Sequence, residues 1–290
     1  MKTFATFSFA RTGSTFFHSF FVNKNLYSLN TMEFFNAYLV NQYKYIQNIY
    51  RANNIQIPPS YQRYEEKLIN HVFPVLWSTR FKDPHERSLA LGKIDPYTLD
   101  MLFDTTQALE ALQYKYFFYK IIFQQVCKRE WMDDIIKHTD QIIINYRKSI
   151  LDSYISLHRA RMTDSWQINP QWKTGAGYNP EYDSVRLHWD LNQFKGFVEI
   201  YNNYYNDVLS SIKSNNKSYT VINYENFCNT LNKQEYLSSI LNVDKDAIET
   251  DTNFIKQSRS TKHEDAFSNS EDFIRDKNAV YEIANCKIFN

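Results

Sequence analysis

The sequence predicts a three-layer α/β domain, a central and mostly parallel sheet of about five strands covered by helices on both faces. Three observations lead there. Short apolar runs of strand length recur along the chain, separated by stretches with helical spacing. Several of these runs are apolar at consecutive positions, as in strands buried on both faces. The first run also passes through a tight polar turn directly into a helical pattern, the start of a strand–turn–helix unit.

In chain order, Phe4 to Phe9 reads as the first strand, and Thr15 to Asn25 as a helix with Phe16, Phe17, Phe20 and Phe21 on its buried side. Leu26 to Leu29 is a short second strand. The segment from Phe35 to about Gln113 reads as a helical insertion, broken at Pro58-Pro59 and around Asp95-Pro96. Phe117 to Phe123 and Gln141 to Tyr146 are the third and fourth strands. Ser149 and Asp152 then have capping-box spacing, which starts a helix. Trp166 to Leu187, with Pro170, Gly175, Gly177 and Pro180, reads as a long irregular loop. Leu191 to Ile212 is an amphipathic helix whose stripe holds Phe194, Val198, Tyr201, Tyr205, Val208 and Ile212, and Tyr219 to Asn223 is the fifth strand. Gln257 to Glu271 is a polar loop or lid. We read residues 1–290 as one domain that includes the insertion at about 35–113.

The formal net charge of +1 gives the chain no overall attraction for nucleic acid or anionic membranes, so an anion site must be local. Cys127, Cys228 and Cys286 are far apart and form neither a disulfide framework nor a zinc pattern, which fits a reducing compartment. His71, His85, His138, His158, His188 and His263 show no metal-ligand spacing either. Met1 to Ala10 alternates Thr and Ser with apolar residues before Arg11, a strand rather than a signal peptide. No run approaches the roughly 20 apolar residues of a membrane span. The expectation is a cytoplasmic protein without stable membrane insertion; oligomeric state is not legible.

The most informative motif is Arg11-Thr12-Gly13-Ser14-Thr15 between the first strand and its helix. A tight turn entering a helix aims backbone N–H groups at one point, where negative charge is favoured. Gly13 allows close backbone approach, and Ser14 and Thr15 add hydroxyl donors. The Walker pattern G-x-x-x-x-G-K-[ST] is not met: no glycine lies upstream, and Ser14 stands in the place of the lysine. The cation precedes the glycine instead, as Arg11. An ordinary β–α turn is the plain alternative. A second motif begins at Arg147, at the end of the fourth strand, and continues two helical turns on to Ser156. Taken alone, Arg147 reads equally as a surface ion pair.

Together the two motifs resemble those of sulfotransferases that use 3′-phosphoadenosine 5′-phosphosulfate, in which a Lys or Arg precedes a Ser/Thr-Gly-Ser/Thr-Thr run. In that family an Arg closing a strand and a later Ser take the 3′-phosphate. Val221-Ile-Asn-Tyr224-Glu225 and Ala160-Arg-Met-Thr-Asp-Ser-Trp166 resemble further segments of the bacterial and carbohydrate-type members. The segment from about Phe35 to Gln113 matches nothing in the family. The resemblance implies a P-loop-like fold and in-line transfer of a sulfuryl group to a hydroxyl, of a carbohydrate or another small polar acceptor, without a metal. It assigns Arg11, Thr12, Gly13, Ser14 and Thr15 to the 5′-phosphosulfate, and Arg147 and Ser156 to the 3′-phosphate. Lys256 and Arg259 fall in a late basic segment that closes over the nucleotide, or in an exposed loop of mixed charge. Arg11 is the implied catalytic cation. Glu33, in Glu33-Phe34-Phe35-Asn36, is the implied general base, or else a helix-start carboxylate; His18 is the weaker alternative base. A P-loop-like nucleotide-binding module, kinase or non-catalytic sensor, is the competing reading.

Overall fold

A computed structural model describes residues 1–24, 26–34, 40–67, 96–125, 128–163, 182, 184–251 and 262–289, with backbone alone at some of them, including Met32 and Glu33. The five apolar runs form strands β1 (Lys2–Ser8), β2 (Ser28–Glu33), β3 (Tyr116–Ile122), β4 (Gln141–Tyr146) and β5 (Tyr219–Asn223). They pair in the order β2-β3-β1-β4-β5, every pair parallel. Parallel neighbours need long crossovers, and these carry the helices. The described helices are α1 (Ser14–His18), α2 (Val40–Ala52), α3 (Pro59–Lys67), α4 (Pro96–Ala111), α5 (Arg129–Lys137), α6 (Ile150–Thr163), α7 (Leu191–Ser214), α8 (Tyr224–Asn229), α9 (Lys233–Leu241) and α10 (Ser270–Ile283).

Strand alternation divides the core in two. Ala5 and Phe7 of β1, Phe117, Tyr119 and Ile121 of β3, and Ile142, Ile144 and Tyr146 of β4 share one apolar cluster with residues of α2, α4, α5, α6, α7 and α10. Phe4, Phe118, Ile143 and Ile222 point the other way, against Phe17, Phe20, Phe21, Phe227, Leu237 and Leu241. Helices cover both faces, so the three-layer α/β architecture expected from the sequence is present. Among the described residues no helix is long and apolar enough to cross a membrane.

Two boundaries differ from the sequence reading. Helix α1 ends at His18 instead of continuing to Asn25. Beyond it the chain exchanges helical bonds for tertiary ones: Val22 N–H donates to the Ala247 carbonyl (3.0 Å), and Glu249 N–H to that of Phe20 (2.7 Å). Strand β2 starts at Ser28, because Leu26 sits at φ 55° inside a turn closed by paired Lys24 and Ser28 backbone bonds. Glu33 is therefore the last residue of a strand, not the start of a helix. In the segment between β2 and β3 the expected proline breaks are helix starts. Pro59 and Pro96 each occupy the first helical position, where a missing N–H costs nothing.

Candidate anion-binding site

In the order β2-β3-β1-β4-β5, the chain leaves β1 toward one edge and later crosses to the other side, at β4. The crevice beyond the carboxyl ends of β1 and β4 is thus the topological switch point, the usual ligand position in an open α/β sheet. Two tyrosines of α7 hold that crevice open. Regular pairing of β1 with β4 runs to Ser8 opposite Asn145. The Tyr205 hydroxyl then accepts from Phe9 N–H (3.0 Å) and donates to the Asn145 carbonyl (2.7 Å), bridging the parting strands. One turn earlier on α7, Tyr201 accepts from Arg147 N–H (3.0 Å) and donates to the Arg147 carbonyl (2.8 Å). Tyr205→Phe leaves two buried backbone groups without partners, each worth about 1–3 kcal/mol. Denaturant unfolding is expected to register a loss in that range or above; an unchanged midpoint would show that the bridge contributes nothing.

The loop leaving β1 has two residues in the left-handed region, Arg11 at φ 65° and Gly13 at φ 76°. Thr12 is fully buried; its hydroxyl donates to the Phe9 carbonyl (2.8 Å) and lies 3.2 Å from Asn145 Oδ1. Its side chain therefore stabilises the turn from within. Gly13 packs under the Tyr224 ring, and a Cβ there would lie 2.0 Å from Tyr224 Cδ2. Gly13→Ala combines that overlap with left-handed strain of about 1–2 kcal/mol. Loss of anion binding in calorimetric titration is expected, recovered in part by adding Tyr224→Ala, which clears the space.

Arg11 reaches across the crevice, where its Nε donates to Ser156 Oγ (2.9 Å). The leading residue of the first motif and the closing residue of the second are thus in direct contact. Arg147 is near as well. Burial chiefly, and the Arg147 charge in addition, pull the Arg11 guanidinium below its usual range, against Tyr182 and Tyr224, which favour the charged form. Arg147 itself is anchored: its Nη2 donates to Asp152 Oδ2 (2.9 Å), its Nε lies 3.8 Å from Glu225 Oε1, and its guanidinium sits 5.2 Å from the Tyr224 ring centre. Asp152 in turn meets His263 Nε2 at 2.9 Å. Burial alone would raise the Asp152 carboxyl; the His263 hydrogen bond and the Arg147 charge outweigh it and hold the group down to about 2.

The start of α6 realises half of the expected capping box. Asp152 N–H donates to Ser149 Oγ (3.2 Å), but the backbone N–H of Ser149 goes to Glu225 Oε1 (3.2 Å), and that of Lys148 to Glu225 Oε2 (3.0 Å). Glu225, after β5, supplies the carboxylate that the box assigns to Asp152, which leaves Asp152 to hold Arg147. Arg159, farther along α6, is buried, with Nε on the Val185 carbonyl (3.1 Å).

Lysine 120 is the site residue that sequence reasoning missed. Only 1% exposed on β3, it donates through Nζ to Thr15 Oγ1 (3.0 Å) and places an ammonium behind the loop. The signal was available, since a lysine amid Phe-Phe-Tyr-Lys-Ile-Ile is seldom buried without a partner. Because α1 spans five residues, few peptide dipoles add up there, and Arg11, Lys120 and Arg147 carry the positive charge.

His18 is fully buried; its Nδ1 contacts Asn30 Oδ1 at 3.1 Å, and burial, with the Lys120 charge, lowers its pKa to about 3. A ring without solvent access and so weakly basic does not suit an acceptor base. Glu33 closes β2 in register with Lys120, which brings its backbone to the same end of the sheet. Its carboxylate lies outside the described residues, as do Lys256, Arg259 and most of the loop from Trp166 to Leu187. Comparison with family models, curated proteins and solved structures finds no match for this chain.

Proposed function

We propose that the chain is a sulfotransferase that takes a sulfuryl group from 3′-phosphoadenosine 5′-phosphosulfate and passes it to a hydroxyl. The observation that carries this reading is the direct meeting of the two motifs, Arg11 Nε on Ser156 Oγ, beside Arg147. The Arg147 charge acts unfavourably on Arg11, so the pair favours an anionic ligand, and two cations suit one with more than one phosphate. Lys120 adds a third cation on the far side of the loop.

The donor supplies a sulfuryl group already bonded to a phosphate leaving group. The protein's task is to stabilise charge as it gathers on that leaving oxygen. Arg11 is placed for it at the rim of the loop, and Thr15, polarised by Lys120, has its own hydroxyl proton to donate. Arg147, fixed by Asp152 and stacked on Tyr224, serves the 3′-phosphate that distinguishes this donor from ATP. Ser156 lies between the two functions. Glu33 remains the proposed base for an acceptor hydroxyl, with a carbohydrate or other small polar molecule as the proposed acceptor.

The test is nucleotide discrimination. Purified protein is expected to bind 3′,5′-adenosine bisphosphate at least about tenfold more tightly than AMP, one charge-assisted contact set being worth 1.5–3 kcal/mol. Equal affinities would remove the 3′-phosphate assignment. Magnesium-dependent ATP hydrolysis would instead favour the P-loop-like nucleotide-binding module. A screen of acceptor hydroxyls with labelled donor identifies the second substrate.

A further inference from the structure

Tyr182 belongs to the segment before α7, yet its hydroxyl is inserted among the donor-site cations. The residue is 2% exposed. Its oxygen lies 2.9 Å from Ser156 Oγ and 3.1 Å from the Ser156 carbonyl, to which it donates. The same hydroxyl is hydrogen-bonded to the Arg11 guanidinium.

Arg11 has only donors to offer, so both oxygens accept from it. Tyr182 donates to the Ser156 carbonyl and also lies within hydrogen-bond distance of Ser156 Oγ, where either hydroxyl can be the donor. The Ser156 hydroxyl can turn toward a phosphate without breaking the Tyr182 bond to its carbonyl. When it turns, Tyr182 still holds Arg11 through the other contact.

We propose that Tyr182 is a positioning residue for Arg11: it keeps the guanidinium aimed at the reacting end of the donor while Ser156 is released to the 3′-phosphate. The proposal rests on the sulfotransferase reading. A residue outside both motifs thereby sets the geometry of the donor-side cation, and the effect falls on the chemical step more than on nucleotide affinity.

Tyr182→Phe removes one oxygen and keeps the ring that fills the core. Hydrolysis of labelled donor to 3′,5′-adenosine bisphosphate and sulfate, with water as acceptor, gives a rate that needs no knowledge of the natural substrate. In this reaction the bond from sulfur to the bridging oxygen breaks, a bond from water oxygen to sulfur forms, and the water proton leaves to solvent. The variant is expected to lose about tenfold or more in this rate, while its Kd for 3′,5′-adenosine bisphosphate stays within about threefold. In an Arg11→Lys background, which lacks the planar fork, adding Tyr182→Phe is expected to cost nothing further. A full rate in Tyr182→Phe, or the same added loss in both backgrounds, would overturn the proposal. A second readout needs no turnover: rotation of the Arg11 guanidinium about its Nε–Cζ bond, followed by nitrogen-15 NMR, is expected to be slow in wild type and faster in Tyr182→Phe, and equal rotation would also overturn it. Failure of the wild-type protein to bind 3′,5′-adenosine bisphosphate would instead bring down the sulfotransferase reading, and this inference with it; that outcome is visible before any variant is made.

Discussion

Replacing Arg11 by alanine is expected to lower donor turnover by on the order of a hundredfold or more, the usual cost of removing a charge aimed at a developing anion. Binding of 3′,5′-adenosine bisphosphate is expected to persist, because Arg147 remains held by Asp152 and Tyr224. Arg11 stands at φ 65°, so a second variant separates charge from backbone. Arg11→Gly relieves the left-handed strain, about 1–2 kcal/mol, and removes the same guanidinium. If charge is the cause, alanine and glycine lose turnover alike. Recovery in the glycine variant would assign the loss to the backbone, and full turnover in both would remove Arg11 from the mechanism. Labelled-donor hydrolysis measures the rate, and calorimetry the affinity.

Acidification is expected to destabilise the fold through His18 well before the carboxylates respond. Its pKa falls from 6.5 to about 3, mainly through burial and then through the Lys120 charge, against a favourable Asn30 hydrogen bond. Between those limits the unfolded chain takes up a proton that the folded chain refuses, so stability falls as pH drops. The loss is on the order of 3 kcal/mol at pH 4, a large part of a typical domain's margin. Asp152 acts in a lower window: held down to about 2, its contribution is present above pH 4 and is lost between about 4 and 2. Denaturant midpoints at pH 7, 5.5 and 4 separate the two. In His18→Gln the slope between pH 7 and 4 is expected to flatten, whatever the variant costs at neutral pH. Parallel slopes would mean that His18 already carries a proton in the folded protein.

These two residues differ in how much of their role was legible. Arg11 was recognisable because Arg-Thr-Gly-Ser-Thr is contiguous and lies between an apolar run and a helix start. His18 was legible only as a ring one turn along that helix. What decides its chemistry is its burial, together with Lys120 of β3 and Asn30 of β2. The same division applies to α6. Ser149 caps it as the spacing predicts, while the carboxylate expected from Asp152 arrives from Glu225, across the β4–β5 pairing.

By itself the sequence determined what depends on nearby residues: five apolar runs, the proline interruptions of the helical segment, the Ser149 cap of α6, and two polar motifs at strand ends. These are consequences of backbone sterics and side-chain periodicity, which act over a few residues. Tertiary structure decided which strand ends are neighbours. The order β2-β3-β1-β4-β5 sets β1 beside β4, and so joins Arg11 to Ser156, with Lys120 behind the loop and Tyr182 beside the pair. Periodicity records which face of a strand is apolar but not which strand lies beside it, so the contact between the motifs could not be read before the sheet was known.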